Sequence, residues 1–268
     1  MTAQTLTEMR RLLRKHGLQP RRHLGQHFLA DPNLIRRIVA AAGVTGEDHV
    51  LEVGAGTGTL TRELARSGAK VLALEVDRRL EGVLTETLAG MAVDLRFGDA
   101  LRFDYSELQG VSWKLVANLP YEVGTVLILD LLRRVPAITE FTVMVQEEVG
   151  RRLVAQPDSP DYGLPSVIVG LHGQARLLFT VPPQVFYPPP RVESAVVRIV
   201  RNPADPATER AIELATAGFA QRRKMLRSSL RAVLPEPSPV LLGAGIDPTR
   251  RPESLAPDEF LTLAKASG

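Results

Sequence analysis

The chain has 268 residues, 44% of them hydrophobic, no cysteine, and a formal net charge of +3 at neutral pH. That length suits one large domain plus a small one, and the missing cysteines exclude disulfides and thiolate-bound zinc. No apolar run reaches the ~20 residues of a membrane-spanning helix and the N-terminus is charged, so a soluble cytoplasmic protein with no membrane partner is expected. Only five of the 33 basic residues are lysine; the rest are arginine, whose planar fork suits phosphates and bases, although a genome-wide coding bias gives the same excess.

Thr5-Leu6-Thr7-Glu8 has the form of a capping box and predicts a basic helix over residues 5–16. Leu6, Met9, Leu12 and Leu13 form its apolar stripe, and Arg10, Arg11, Arg14 and Lys15 its charged face. Arg21-Arg22-His23-Leu24-Gly25-Gln26-His27-Phe28-Leu29 is a poor core segment and a plausible site loop. Asp31-Pro32 reads as a helix start, Ile35, Ile38, Val39 and Ala42 face inward, and Gly43 closes that helix. Val50 to Val53 is a buried strand, followed by Gly54, Gly56 and Gly58 and a helix from Thr59. Strand, glycine turn and helix start are the opening of a doubly wound nucleotide-binding fold. Further strands are expected at 71–74, 92–97, 113–117, 141–145, 176–181 and 195–200, with helices at 123–132 and 146–154 and a proline-rich loop at 181–190. This alternation predicts a mostly parallel sheet with helices on both faces, within a catalytic domain of residues 1–202. After Asn202-Pro203 only helical segments remain, so residues 203–268 are expected to form a small all-helical domain.

Several residues stand where chemistry is done. Glu75 lies 21 residues after Gly54, at the carboxyl end of the second strand, where a carboxylate accepts from both hydroxyls of a ribose. Asp99 ends another strand and can accept from an adenine amine. Asn118-Leu119-Pro120-Tyr121 ends a fourth. An adenine amine is a weak nucleophile because its lone pair is delocalised into the ring. Acceptors on both N–H groups, from the Asn118 side chain and the Leu119 carbonyl, favour an amine whose lone pair is free to attack. Pro120 fixes the backbone that carries that carbonyl, and Tyr121 offers a face for stacking an extruded base. Downstream, Phe219, Leu226, Leu230 and Val233 share one stripe of a predicted helix, while Arg223, Arg227 and Arg231 recur every four residues on another face, widened by Arg222 and Lys224. No acid occurs between Phe219 and Leu234, so this strip is expected to bind RNA phosphates.

The glycine spacing departs from G-x-G-x-x-G, because Thr59 stands where a dinucleotide fold has its third glycine. G-x-G-x-G preceded by Glu52 is similar instead to the first motif of S-adenosylmethionine (AdoMet) methyltransferases, and Asn118 to Tyr121 resembles the N/D-P-P-Y/F motif of enzymes that methylate exocyclic amines. With Gly25 to Leu29, Leu51 to Gly58, Leu74 to Asp77, Gly98 to Ala100, Val181 to Val197 and Phe219 to Leu226, the chain resembles the ribosomal RNA adenine dimethyltransferase family, and within it the bacterial branch acting on small-subunit rRNA. The resemblance implies a Rossmann-like AdoMet-dependent methyltransferase domain that dimethylates two adjacent adenosines in the 3′-terminal hairpin of 16S rRNA, in the small ribosomal subunit or its precursor, with no metal and no obligate protein partner. It implies that His27, Leu29, Gly54, Gly56, Glu75, Asp99, Ala100 and Asn118 bind AdoMet, and that Tyr121 and Phe186 sandwich the target base. The family usually has Asn where this chain has His27, and only His can also carry a charge there. A non-catalytic RNA-binding factor on the same fold has no need of the acceptors at Asn118 and Glu75. A DNA adenine methyltransferase shares Asn-x-Pro-Tyr but leaves the C-terminal match unexplained.

Overall fold

The structure, a computed structural model, describes residues 5–21 and 24–267. Arg22 and His23 of the expected site loop lie outside the described residues. Contacts divide the chain into two compact units: Met1–Gly150 with Arg176–Ile199, and Arg151–Ala175 with Val200–Gly268. The second unit therefore takes in a segment, 151–175, that the sequence reading assigns to the catalytic domain.

In the first unit, α1 (Leu6–Lys15) is held by the Thr5/Glu8 capping box and buries Met9, Leu12 and Leu13. A short strand, β1 (Phe28–Leu29), precedes α2 (Pro32–Ala42). The side chain of Asp31 caps α2 by accepting from the amides of Asn33 and Leu34, and Gly43, at φ 58°, ends it. There follow β2 (His49–Val53), α3 (Thr59–Arg66), β3 (Lys70–Glu75), α4 (Glu81–Thr87), β4 (Val93–Phe97), β5 (Trp113–Asn118), α5 (Gly124–Arg134), β6 (Ile138–Gln146) and α6 (Glu147–Val154). Beyond α7 (Leu164–His172) come β7 (Gly173–Val181), β8 (Phe186–Tyr187) and β9 (Ser194–Arg201).

The seven-stranded sheet runs β4-β3-β2-β5-β6-β9-β7, and β2, β3, β4, β5 and β6 are parallel where they pair. The register sets Val53 beside Leu74, Glu75 beside Phe97, and Asn118 beside Met144. The carboxyl ends of β2, β3, β4 and β5 therefore lie side by side, and the strand order reverses between β2 and β5. Expected strand positions are met to within a few residues. The proline-rich segment is more ordered than a loop: β8 pairs antiparallel with β1, with Phe28 opposite Tyr187 and Leu29 opposite Phe186.

The second unit is mostly helical. Here α7 packs on α8 (Thr208–Ala220) and α11 (Pro257–Ala266), with α9 (Leu226–Ser229) and α10 (Pro237–Gly243) between them in sequence. Phe219 lies against the rings of Tyr162 and Phe260, at 6.1 and 6.4 Å between centroids, and the Tyr162 hydroxyl donates to the Leu255 carbonyl at 2.6 Å. One expectation is corrected: residues 219–234 are not a continuous helix. The chain leaves α8 after Ala220, turns over 221–224, and resumes only as the four residues of α9. The reason is tertiary. The amides of Leu226 and Arg227 donate to the carbonyls of Arg250 and Pro248, at 2.8 and 3.1 Å, instead of to the preceding turn of a helix.

Candidate active site

A cleft of about 270 Å³ opens at the carboxyl ends of β2 to β5, around the reversal of strand order. Open parallel sheets hold their ligands at such a point. The glycine turn forms one wall: Gly54, Gly56 and Gly58 have φ of 82°, 59° and 77°, a region that side chains rarely enter. A Cβ on Gly56 would also stand 3.0 Å from the Phe28 ring, so this part of the turn must be bare backbone. Glu75, 5% exposed, ends β3 beside it. One of its carboxylate oxygens accepts from the Gly56 amide at 2.8 Å and the other from the Asp77 amide at 2.9 Å, with the Val76 amide adding to them, and the two oxygens together still have room to accept from a ligand. Burial raises the Glu75 pKa, opposed by those amides. Asp99 is exposed on the same cleft, with one oxygen accepting from the Leu101 amide at 3.0 Å, and Ala100 lines the wall next to it.

Facing the glycine turn, Asn118 ends β5. Its amide nitrogen donates to the His27 carbonyl at 3.0 Å, which orients the side chain. Among the described residues, neither the Asn118 side-chain oxygen nor the Leu119 carbonyl accepts a hydrogen bond, so both predicted acceptors are available where the cleft meets Pro120 and Tyr121. The Pro120 carbonyl is already used: it accepts from the amides of Val123 and Gly124 and starts α5. Gly25, at φ 62°, brings the 24–27 loop against Pro120 and Tyr121. Gln26 locks this loop by accepting from the Arg21 amide and donating to Asp77, which in turn pairs with Arg79 at 2.6 Å. His27 lines the cleft with its Nδ1 2.7 Å from the Pro188 carbonyl. A carbonyl only accepts, so that nitrogen carries the proton. The imidazole makes an offset stack with Tyr121, 5.5 Å between centroids at 26°.

A sequence profile of the ribosomal RNA adenine dimethylases matches residues 17–267. The chain belongs to the ribosomal RNA adenine dimethylase family. It is 45% identical over 276 residues to the ribosomal RNA small subunit methyltransferase A of Chelativorans sp. strain BNC1, and 43% identical over 275 residues to that of Brucella canis, each match covering 99% of both chains. Its fold is similar to that of a dimethyladenosine transferase from Plasmodium falciparum (TM-score 0.76, 24% identity, 88% of this chain and 96% of the other). It is also similar to that of the 23S rRNA methyltransferase ErmE (TM-score 0.70, 26% identity, 90% and 99%).

Two of the expected site residues, Leu29 and Phe186, are buried in this structure. Leu29 and Phe186 face each other across the β1–β8 ribbon, where paired residues project to one side; they are 3% and 2% exposed, pack in the same core cluster as Phe28, and do not line the cleft as Phe28 does. The opposite side of the ribbon carries Phe28, which does line it, and Tyr187, over whose ring the Arg10 guanidinium sits at 4.7 Å. In the second unit, Arg222, Arg223, Lys224, Arg227 and Arg231 are all exposed, but on a turn and a short helix instead of one helical face. Arg222 is not without an acid: Glu253, remote in sequence, pairs with it at 2.7 Å. Sequence reasoning missed two members of the cleft's surroundings, the Pro188 carbonyl and the fully buried Ser194, whose hydroxyl lies 2.5 Å from that of Tyr121. No local pattern marks either one. No group of His, Asp or Glu that could hold a metal ion occurs among the described residues, and no helix among them is long and apolar enough to cross a membrane.

Proposed function

We propose that this chain dimethylates the exocyclic amines of two adjacent adenosines in the 3′-terminal hairpin of 16S rRNA, using AdoMet, on the small ribosomal subunit or its precursor in the cytoplasm. The observation that carries this reading is the orientation of Asn118. Its amide nitrogen is committed to His27, so its oxygen is left, beside the Leu119 carbonyl, to accept from an amine. The residues present suit AdoMet: bare backbone at Gly54 and Gly56, a buried carboxylate with room to accept at Glu75, and an exposed acceptor at Asp99. AdoMet supplies the electrophilic methyl. Glu75 takes the ribose hydroxyls, Asp99 and Ala100 the adenine end, and the glycine turn and His27 the methionyl end. The Tyr121 ring stacks the extruded base, and Asn118 and Leu119 hold its N–H groups so that the nitrogen lone pair points at the methyl. The exposed cations from Arg222 to Arg231 contact rRNA phosphates. The test is methyl transfer from labelled AdoMet to small subunits that lack the modification, followed by nucleoside analysis. N6,N6-dimethyladenosine in the 16S 3′ hairpin is expected; label confined to another nucleoside, or none at all, overturns the reading.

A further inference from the structure

We propose that Ser194 is a positioning residue for methyl transfer: its hydroxyl, 2.5 Å from that of Tyr121, fixes the plane against which the target base stacks, a role that rests on the function proposed above. Ser194 opens β9 and is 0% exposed, and the next three residues, Ala195, Val196 and Val197, are also 0% exposed. An apolar side chain is the default in such a place, because a buried hydroxyl needs a partner to offset its desolvation. The hydrogen bond that Ser194 makes is to Tyr121, 73 residues away in sequence. The anchor is firm at its own end: the carbonyl of Glu193 accepts from the Glu147 amide at 2.9 Å and pins the start of β9.

Tyr121 needs such an anchor. It stands in the connection between β5 and α5, and the outer torsion of an aromatic side chain is broad and weakly restrained. Three contacts remove that freedom. Pro120 restricts the backbone before it, His27 stacks against it in an offset arrangement, and Ser194 holds the far end of the ring. The ring is then held at one angle in the wall of the cleft that Asn118 also lines. A ring free to swing still stacks a base, but it presents the amine to the methyl at the wrong angle, and a small misplacement at this step is costly. The hydroxyl of Tyr121 thus matters through Ser194, although it touches no reacting atom.

The experiment compares Ser194→Ala, Ser194→Thr, Tyr121→Phe and the double variant Ser194→Ala/Tyr121→Phe under single-turnover methyl transfer to unmodified small subunits. Ser194→Ala and Tyr121→Phe should each lower the rate roughly tenfold, the size of one lost hydrogen bond, with AdoMet affinity unchanged. The double variant should be no slower than the slower single one, because both remove the same contact. Ser194→Thr, which keeps a hydroxyl, should recover most of the rate. The idea is overturned if Ser194→Ala turns over like the parent, or if the two losses multiply. Tyr121→Phe breaks the contact from the other side should Ser194→Ala fold poorly. Ring-labelled tyrosine spectra, with the Tyr121 signal assigned by its loss in Tyr121→Phe, read the tether apart from activity. That signal should shift in Ser194→Ala and return in Ser194→Thr, and an unmoved signal refutes the tether. A parent chain that transfers no methyl while the signal shifts overturns the proposed function and leaves the tether standing.

Discussion

Asn118 shows how one side chain can be given a single orientation by the backbone of a distant loop. Its nitrogen reaches the His27 carbonyl, 91 residues away, and the two ends of the amide are thereby assigned different tasks. Replacing Asn118 with Ala removes an aligned acceptor from a site where such groups act without reorganisation. Turnover should fall by about 10²–10³, while thermal melting stays near that of the parent. Full activity in that variant would remove Asn118 from the chemistry. Glu75 has two tasks, since it both faces the cleft and ties down the amides of Gly56 and Asp77. Glu75→Ala should weaken AdoMet binding by about 1–3 kcal/mol, the cost of leaving polar groups unpaired. Calorimetry that finds parent-like affinity would exclude the ribose contact. Glu75→Gln should recover part of the loss, because it keeps the shape and one acceptor oxygen.

The elements differ in how far they follow local rules. The helix α2 does so throughout: Asp31 caps it, Pro32 starts it, and Gly43 ends it with a left-handed residue. By contrast, the stretch from Phe219 to Leu234 carries a clean helical repeat in sequence and is nevertheless broken at 221–225, because the 248–250 segment captures the amides that a helix would use. The cationic strip survives this break in altered form. Its members stay exposed, but their spacing is set by a turn, and Glu253 answers Arg222. Charge reversal is therefore best aimed at residues that make no side-chain ion pair among the described residues, such as Arg223 and Arg227, the latter only near the charge of Asp247. Arg223→Glu with Arg227→Glu should weaken binding to small subunits and flatten its salt dependence by roughly 0.7–0.9 log units per lost phosphate contact, with AdoMet affinity untouched. Equal affinity and slope in parent and variant would make the strip a solvated surface only.

At the scale of the whole molecule, one buried carboxyl ties stability to pH. Glu52, in the middle of the parallel sheet, is 1% exposed and its Oε2 has no hydrogen-bond partner among the described residues. Burial, reinforced by the neighbouring charge of Glu75, lifts its pKa from 4.5 to about 8. The folded chain therefore keeps a proton that the unfolded chain gives up. Below 4.5 this group adds no pH dependence to stability; between 4.5 and 8 it lowers stability as pH rises, and above 8 its effect is constant. The slope is at most about 1.4 kcal/mol per pH unit for one proton. Glu52→Gln should thus gain stability relative to the parent as pH rises from 4.5 to 8, measured by denaturant unfolding at several pH values. Parallel curves for parent and variant would show that Glu52 is ionised in the fold.

What the sequence alone determined are the features whose physics is local or periodic. The strand–glycine–helix turn, the capped helices, the alternation of strands and helices, and the acids at strand ends all depend on neighbouring residues, and all lie where composition and spacing put them. The family, too, was legible, because its motifs sit at these same strand ends. The tertiary structure decided what depends on residues far apart. Pairing of β1 with β8 turned Leu29 and Phe186 into the core, where their aromatic and aliphatic character gave no sign of which side they would take. Capture of two backbone amides broke a helix that its own sequence favours. The contacts that orient the cleft, from Asn118 to His27, His27 to Pro188 and Tyr121 to Ser194, span 91, 161 and 73 residues. A hydrogen bond across such a separation leaves no periodic trace in the chain, since only the closed fold brings its two ends together.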